Sequence, residues 1–150
     1  MSSSKQRVVV LVGLPGSGTS TWLAKQGGGA LSSDAMRKLL RDDEADQTIH
    51  AEVFGLMRQM LRLRLRLGAA TTYIDATNLS KRERRVWVKI ADDLGADCEA
   101  VFFDLPLAVC KERNVKRTRI VPAEAMEKLA GRLVRPELVE GFAAIRVVAK

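Results

Sequence analysis

The chain has 150 residues, enough for one domain with a sizeable hydrophobic core. Its 25 lysines and arginines outnumber its 18 aspartates and glutamates, which gives a formal net charge of +7. This charge favours a polyanionic partner such as nucleic acid, although a solvated basic surface would account for it equally well. No apolar run approaches the roughly 18 residues that a membrane-spanning helix needs, so we expect no membrane contact.

The number of cysteines and the first residues of the chain indicate the cellular compartment in which we expect the protein. Cys98 and Cys110 are too few for a disulfide framework, and no secretory leader is recognisable. We therefore expect buried thiols and a reducing, cytoplasmic environment. Residues 1–6 are polar and rich in serine, and we expect them to form a disordered tail before a single domain of residues 7–150.

The stretch from residue 8 to residue 21, VVVLVGLPGSGTST, carries the strongest signal in the chain. Its order is a buried strand at residues 7–12, a glycine-rich loop and the start of a helix. Gly13, Gly18 and Ser20 match the phosphate-binding pattern G-x-x-x-x-G-K-[ST], in which glycines let backbone N–H groups point at a phosphate. A plain glycine turn is the structural alternative, and the hydroxyl residues after the loop argue against it.

This stretch predicts a nucleotide-binding loop. Ser20 provides a hydroxyl where a Mg²⁺ ion that bridges two phosphates needs a ligand. Thr19 occupies the position at which the pattern has lysine. The residues expected to contact the nucleotide are Gly13, Pro15, Gly16, Ser17, Gly18, Thr19, Ser20 and Thr21, together with Arg113 and Arg117 from a later basic segment.

The elements after the loop are predicted from periodicity and from glycine, proline and capping residues. Glycines at 27–29 end the first helix, Ser33 is expected to cap the second, and Ser80 with Glu83 fits a capping box. The predicted strands are residues 7–12, 30–32, 71–74 and 98–103, with an edge strand at 146–149. The predicted helices after the first are residues 34–41, 47–67, 81–94, 109–113 and 122–133.

Residues 47–67 contain two conflicting periodicities. Apolar residues recur at intervals of three and four up to Leu61, as in a helix, whereas residues 61–67 alternate leucine with arginine, as in an exposed strand. We predict a helix throughout, because leucine and arginine favour helices and Gly68 can terminate one. A solvent-exposed face is expected for the arginines of this segment, with nucleic-acid contact as the alternative: Arg58, Arg62, Arg64 and Arg66.

Strands that alternate with helices at this spacing predict an α/β fold of three layers, with a central parallel sheet of about five strands and helices on both faces. Ligands bind such sheets at the carboxyl ends of the strands. Gly13, Asp34, Asp75 and Asp104 all follow predicted strands. We therefore expect these four residues to lie at one edge of the sheet.

Two residues on one predicted helix are candidates for phosphoryl transfer. The reaction needs a carboxylate to orient or accept the proton of the acceptor, and cations to hold the developing charge. Asp34 is our candidate general base. Arg37 lies on the same face of the helix and can hold a phosphate or the incoming hydroxyl. A local ion pair is the alternative explanation for this spacing.

Three further residues follow strands or helices in positions that suit the same chemistry. Asp75 follows a strand, as a carboxylate that binds metal-coordinated water does, although it could instead cap the next turn. Arg113 and Arg117 are four residues apart at the end of a helix, so both can face one polyanion, as a lid over triphosphate does. A solvated basic loop is the alternative for these arginines.

Two other observations concern the role of the histidine and the identity of the phosphate donor. The only histidine in the sequence, His50, has no cysteine partners near it, so we expect a surface or packing role rather than catalysis or metal binding. Proteins that read guanine usually carry an N-K-x-D motif, and residues 114–117, NVKR, depart from it. ATP is therefore the expected phosphate donor.

Five motifs together resemble the kinase domain of phage and bacterial polynucleotide 5′-hydroxyl kinases: GLPGSGTSTW, SSDAMR, IDATNLS, VFFDLP and ERNVKR, the last followed by Val121 and Pro122. They occur in the same order and spacing over nearly the whole chain. The resemblance implies a P-loop kinase fold. It also implies transfer of the γ-phosphate of ATP, with Mg²⁺, to the 5′-hydroxyl end of RNA or DNA in nucleic-acid repair.

The same resemblance implies roles for individual residues. Asp34 is implied as the general base for the 5′-hydroxyl, Arg37 as a contact of the acceptor, and Asp75 as an essential active-site carboxylate. Arg113 and Arg117 are implied as part of the lid that clamps the phosphates.

The departure from the family is Thr19, because the family has a lysine there that contacts the β- and γ-phosphates. Loss of one such contact typically costs about 10² to 10³ in rate. Three explanations are open: compensation by another cation, an inactivating substitution, or a protein that binds nucleotide without transferring phosphate. Arg117 is a better compensating cation than Lys25, which lies more than one helical turn further along. A P-loop kinase acting on a small hydroxylated molecule is a further alternative.

Overall fold

The computed structural model describes residues 5–117 and 119–149. Its centre is a sheet of five strands, all parallel, in the order β2-β3-β1-β4-β5. Parallel strands need crossover connections, and each connection here contains at least one helix. This confirms the predicted α/β fold with a central parallel sheet. The strands are β1 (Arg7–Val12), β2 (Gly29–Ser32), β3 (Thr71–Asp75), β4 (Asp97–Phe103) and β5 (Ala144–Val148).

The helices lie close to their predicted positions. They are α1 (Thr19–Ala24), α2 (Ser33–Arg41), α3 (His50–Arg66), α4 (Lys81–Asp93), α5 (Leu107–Asn114) and α6 (Ala123–Arg132), with 3₁₀ turns at Gln47–Ile49 and Leu138–Glu140. The cap of α2 is Ser32 rather than the expected Ser33, since the Ser32 Oγ accepts a hydrogen bond from the Ala35 N–H at 3.2 Å. Among the described residues, no helix combines the length and apolar character needed to cross a bilayer.

The two faces of the sheet are covered unequally. One face packs against α3 and α4 in the larger core cluster. The opposite face carries a smaller cluster that includes Val9, and α1 covers it through Trp22 and Leu23. Nearer the amino ends of the strands, the same face carries a paired charge, Arg7 with Glu99, at 2.8 Å. Helices therefore lie on both faces, as predicted, but the layer formed by α1 is thin.

The alternating segment of residues 61–67 is helical up to Arg66, where α3 ends, so it forms a helix rather than a strand, as predicted. Two of its leucines are buried, Leu61 and Leu65, whereas Leu63 and Leu67 are exposed, because residues four apart share a helix face. The expected solvent face of arginines is wrong for Arg64. Its Nε donates to the Thr72 Oγ1 at 2.9 Å and its Nη2 to the Thr71 carbonyl at 2.9 Å. Arg64 therefore fastens α3 to β3, a contact that charge periodicity could not reveal.

The tail that we expected to be disordered, residues 1–6, includes Gln6, which is hydrogen-bonded to the folded domain. The Gln6 side-chain amide donates to the carbonyl oxygens of Leu65, at 3.0 Å, and Ala69, at 2.8 Å. The Gln6 carbonyl accepts a hydrogen bond from the Asp97 N–H. Gln6 therefore belongs to the folded domain, and residues 1–4 of the expected tail lie outside the described residues.

Asn78 ties together the loops that follow β1 and β3. It is buried and has a positive φ of 47°, a left-handed conformation that asparagine tolerates better than most residues. Its Nδ2 donates to the Leu11 carbonyl at 2.7 Å, and its Oδ1 accepts from the Trp87 Nε1 at 2.9 Å. Beside it, the Gly13 N–H donates to the Thr77 carbonyl at 3.1 Å. These bonds fix the start of the glycine loop against the end of β3.

Arg84, in the basic start of α4, is a structural residue. Its side chain is fully buried and forms a two-bond pair with the Glu140 carboxylate, at 2.9 and 3.0 Å. Its Nη1 also donates to the carbonyl oxygens of Asn78 and Leu79. The neighbouring Arg85 is exposed.

We predict that Arg84→Ala lowers the free energy of unfolding by about 3 to 5 kcal/mol, because it leaves Glu140 and two carbonyl groups without their buried partner. Urea unfolding followed by circular dichroism measures this change. The matched control is Arg85→Ala, which should change stability by no more than about 0.5 kcal/mol. Equal losses in the two variants would contradict the structural role of Arg84.

Candidate active site

A large cleft lies at the carboxyl ends of the strands. Its volume is about 1920 Å³. Motifs far apart in the sequence meet along its wall, as expected for this edge of a parallel sheet. The predicted site residues that line it are Gly13, Pro15, Gly16, Gly18, Thr19, Ser20, Thr21, Asp34, Arg37, Asp75, Arg113 and Arg117.

The glycine loop between β1 and α1 has the backbone that its sequence predicts. Gly16 and Gly18 have positive φ angles of 82° and 96°, which residues with a side chain rarely adopt. Gly16 also packs so tightly on α5 that a Cβ there would clash with the Cys110 carbonyl oxygen. Ser17 does not line the cleft, because its side chain is buried beneath the loop, next to Gly13. The loop is thus held close to the helix that leads into the basic segment.

Thr19 begins α1 at the position where the pattern has lysine. Its side chain is neutral, so it brings no positive charge to the loop. Lys25, at the end of α1, is exposed and also lines the cleft. Ser20 and Thr21 are exposed in the first turn of the helix, with their hydroxyls available to a ligand.

Asp34 is held by two arginines. The Nη1 atoms of Arg37 and Arg119 both donate to its Oδ1, at 3.1 and 2.7 Å. The local ion pair between Asp34 and Arg37 is therefore present, and the second pair spans 85 positions of the chain. Sequence reasoning did not single out Arg119. The signal was the basic cluster RNVKRTR, in which Arg119 follows Arg117 by two positions.

Among the described residues, three buried polar atoms in this part of the protein have no hydrogen-bond partner, and two of them belong to arginines that line the cleft. In the described part of the chain, the Ser17 Oγ, the Arg37 Nε and the Arg117 Nη1 are buried and make no hydrogen bond. Arg37 is only 5% exposed, and burial lowers its pKa, an effect that the carboxylate of Asp34 opposes. Buried donors of this kind are costly unless a ligand accepts from them. The arrangement suits an anionic ligand.

The other predicted arginine, Arg113, lies over the glycine loop. Its Nη1 is 3.5 Å from the position that a Cβ on Gly18 would occupy. Arg113 is exposed, whereas Arg117 is half-buried. Both therefore reach the cleft from the end of α5 and the turn that follows it.

Asp75 ends β3 inside the cleft. Burial raises its pKa to about 6, and the nearby carboxylate of Asp34 contributes in the same direction, whereas Arg117 opposes the change. Ser80 caps α4 by accepting a hydrogen bond from the Glu83 N–H at 3.2 Å. Ser80, rather than Asp75, is therefore the cap of α4. Among the described residues, no group of three or more histidine, cysteine, aspartate or glutamate side chains could hold a metal ion.

Two sequence comparisons identify relatives of this chain. A family model described as an AAA domain matches residues 8–136. A curated protein of Arabidopsis thaliana, transcription factor bHLH140, is 31% identical over 156 residues. That match covers 95% of this chain but 16% of the relative, so the chain spans about a sixth of the length of that protein.

Solved structures with the same fold include kinases. A chain from the Pnkp1/Rnl/Hen1 RNA repair complex is 24% identical, with a TM-score of 0.74, over 88% of this chain and 45% of that one. A putative kinase from Chloroflexus aurantiacus is 14% identical, with a TM-score of 0.74, over 97% and 89%. The APS kinase of Mycobacterium tuberculosis, solved with AMPPNP and APS, is 20% identical, with a TM-score of 0.62, over 97% and 90%. At these identities the likeness establishes the fold, that of a P-loop kinase.

We predict that Asp75→Asn stabilises the ligand-free protein above pH 6. The pKa of Asp75 is about 6 in the folded protein and about 4 in the unfolded chain. Between these two pH values the folded protein binds the proton more tightly, so the stability of the parent falls as the pH rises from about 4 to about 6. The variant escapes this loss, which amounts to no more than about 3 kcal/mol.

Urea unfolding at pH 4.5 and at pH 7.5 measures the difference. The advantage of Asp75→Asn over the parent should grow between the two pH values. Asp92→Asn, at an exposed carboxylate, is the control and should show no such growth. A difference between Asp75→Asn and the parent that stays constant with pH would contradict the raised pKa.

Proposed function

Because the chain belongs to the AAA domain family and has the fold of a P-loop kinase, we propose that it transfers the γ-phosphate of ATP to the 5′-hydroxyl end of RNA or DNA. One observation carries this proposal. The glycine loop, the Asp34–Arg37 pair and the arginines of the basic segment line one cleft, although they come from distant parts of the sequence.

In this proposal the glycine loop and the arginines bind the triphosphate. Gly16 and Gly18 give the loop the backbone that can surround phosphate oxygens. Arg113 and Arg117 hold the charge that develops on the transferred phosphoryl group, and the unpartnered Arg117 Nη1 suits this task. Thr19 supplies no charge, so Arg117 takes over part of what lysine does in the loop pattern.

Asp34 is the general base of the proposed reaction. It accepts the proton of the 5′-hydroxyl as the hydroxyl oxygen forms a bond to the γ-phosphorus, while the bond from that phosphorus to the bridging oxygen of ADP breaks. Arg37 and Arg119 fix the carboxylate through its Oδ1. The free Nε of Arg37 is available to the acceptor or to the phosphoryl group.

Hydroxyl and carboxylate oxygens are the ligands that Mg²⁺ prefers, and Ser20 and Asp75 offer them in this cleft. Ser20 would bind the ion together with phosphate oxygens, and Asp75 would bind its coordinated water, so that the ion neutralises charge on the phosphates. Above a pH of about 6 the Asp75 carboxylate is ionised and suited to that role.

The choice of a polynucleotide as the acceptor rests on three supports. The five motifs resemble those of polynucleotide 5′-hydroxyl kinases, the chain is similar to one from an RNA repair complex, and its net charge is +7. Kinases of small molecules share the fold as well, so a small hydroxylated acceptor is the competing substrate class. Thr19 favours a second candidate function, a module that binds nucleotide without transferring phosphate.

We predict that the protein transfers labelled phosphate from ATP to a 5′-hydroxyl oligonucleotide, and that Asp34→Ala lowers the rate by about 10² to 10⁴, because the base is lost. Asp92→Ala removes an exposed carboxylate elsewhere and is the control. Equal labelling by Asp34→Ala and the control would remove Asp34 from this role. Labelling of a small sugar or nucleoside without competition from oligonucleotides would favour the other acceptor class.

We predict that Thr19→Lys raises the rate of transfer by up to about 10² to 10³, because it restores a charge beside the β- and γ-phosphates. The measurement is the single-turnover rate at saturating ATP, with Thr19→Met as a control of similar length but no charge. A Thr19→Lys variant that binds ATP and transfers no phosphate would instead support the non-catalytic module.

A further inference from the structure

An aromatic pair lies on the wall of the cleft that also holds Asp34 and Arg37. His50 and Phe54, one helical turn apart on α3, have ring centroids separated by 4.5 Å and ring planes inclined by 33°. We call these two residues the α3 aromatic pair. Neither has a place in the chemistry described above, although both line the cleft.

Of the two residues, Phe54 is held by the core and His50 is exposed. Phe54 is half-buried and packs against the larger core cluster, with its ring 6.4 Å from that of Trp87. Trp87 is fixed in turn by its hydrogen bond to Asn78. His50 is exposed at the first position of α3, and Phe54 covers one face of its imidazole. The other face of the imidazole is therefore available to a flat ligand.

The pair lies on α3, which packs against α2, the helix that carries Asp34 and Arg37. Asp46, four positions before His50, lies within electrostatic reach of Arg37, whose guanidinium binds Asp34. Two other aromatic rings line the cleft, those of Trp22 and Phe103, but they pack edge to face on each other at 5.9 Å. Those rings belong to the cluster beneath α1, next to the glycine loop.

We propose that the α3 aromatic pair stacks on the base of the 5′-terminal nucleotide of the acceptor strand. The proposal rests on the function given above and adds the way in which the acceptor is bound. Stacking on aromatic rings is a common way to bind single strands, because every base has a flat π-face, and it does not select a sequence. Lys38 and Arg82 are exposed, line the same cleft and suit the phosphates of the strand.

The test is the binding of a single-stranded oligonucleotide with 2-aminopurine as its 5′-terminal base and a free 5′-hydroxyl, without ATP. Stacking quenches the fluorescence of this base. We expect quenching by the parent protein, a loss of quenching with His50→Ala, and a loss of affinity of about fivefold or more. His50→Tyr should restore both, because it restores a ring, whereas Phe54→Leu, which keeps the apolar packing, should weaken both.

Gln59→Ala is the matched control, because Gln59 is exposed on the same helix and lies outside the cleft. It should bind as the parent does. A competing oligonucleotide with an abasic 5′-terminal nucleotide should bind more weakly to the parent, and His50→Ala should not weaken its binding further. Quenching and affinity that His50→Ala leaves unchanged would overturn the proposal.

The transfer assay separates this proposal from the proposed function. If the parent transfers phosphate and His50→Ala leaves the KM for the oligonucleotide unchanged, stacking is overturned and the kinase function stands. If binding depends on His50 but no phosphate is transferred, stacking stands and the kinase function fails. If the parent neither binds nor phosphorylates the oligonucleotide, both are overturned.

Discussion

The geometry of the cleft depends on one buried amide, the side chain of Asn78. Its Nδ2 donates to the Leu11 carbonyl near the end of β1, and its Oδ1 accepts a hydrogen bond from the indole of Trp87 in α4. The Arg84 Nη1 also donates a hydrogen bond to the carbonyl oxygen of Asn78. Because Asn78 lies three residues after Asp75, these bonds set the glycine loop and the carboxylate at the end of β3 in a fixed relation. The cleft is therefore built by buried hydrogen bonds rather than by its charged rim.

Much of this arrangement could be predicted from the sequence, and the exceptions have a common cause. Apolar runs, glycines and capping residues act locally, so the strands, the helices and the glycine loop followed from them. Arg64, Arg84 and Arg119 did not follow, because their partners come from other elements; Glu140 is 56 positions from Arg84, and Asp34 is 85 positions from Arg119. A run of cations in a sequence does not tell which of them will be buried and paired.

The same limit applies to the candidate site. The motifs predicted that Asp34, Asp75 and the two arginines of the basic segment would meet, and they line one cleft. Periodicity gave no reason to assign His50 to that cleft, since a lone histidine on a helix is most often a surface or packing residue. The position of His50 and Phe54 in the cleft became visible only in the fold, which packs α3 against α2.

The cations of the cleft form an arrangement that suits an anionic ligand. Two arginines donate to a single oxygen of Asp34, and of these the Arg37 side chain is almost fully buried, so its guanidinium has lost hydration. Arg37 and Arg117 also keep buried donors that no described residue accepts. The hydrophobic core must offset the free-energy cost of these unpaired and desolvated groups. Such local costs are typical of binding sites.

The shortness of α1 has a consequence for how the protein moves. The helix has six residues and none of them is buried, whereas β1 beside it is almost entirely buried. Short helices are marginal on their own, so the amide hydrogens of α1 should exchange with solvent much sooner than those of β1. The glycine loop is thus stiff where it leaves the sheet and compliant where it enters the helix. A bound anion would slow exchange mainly on the helical side.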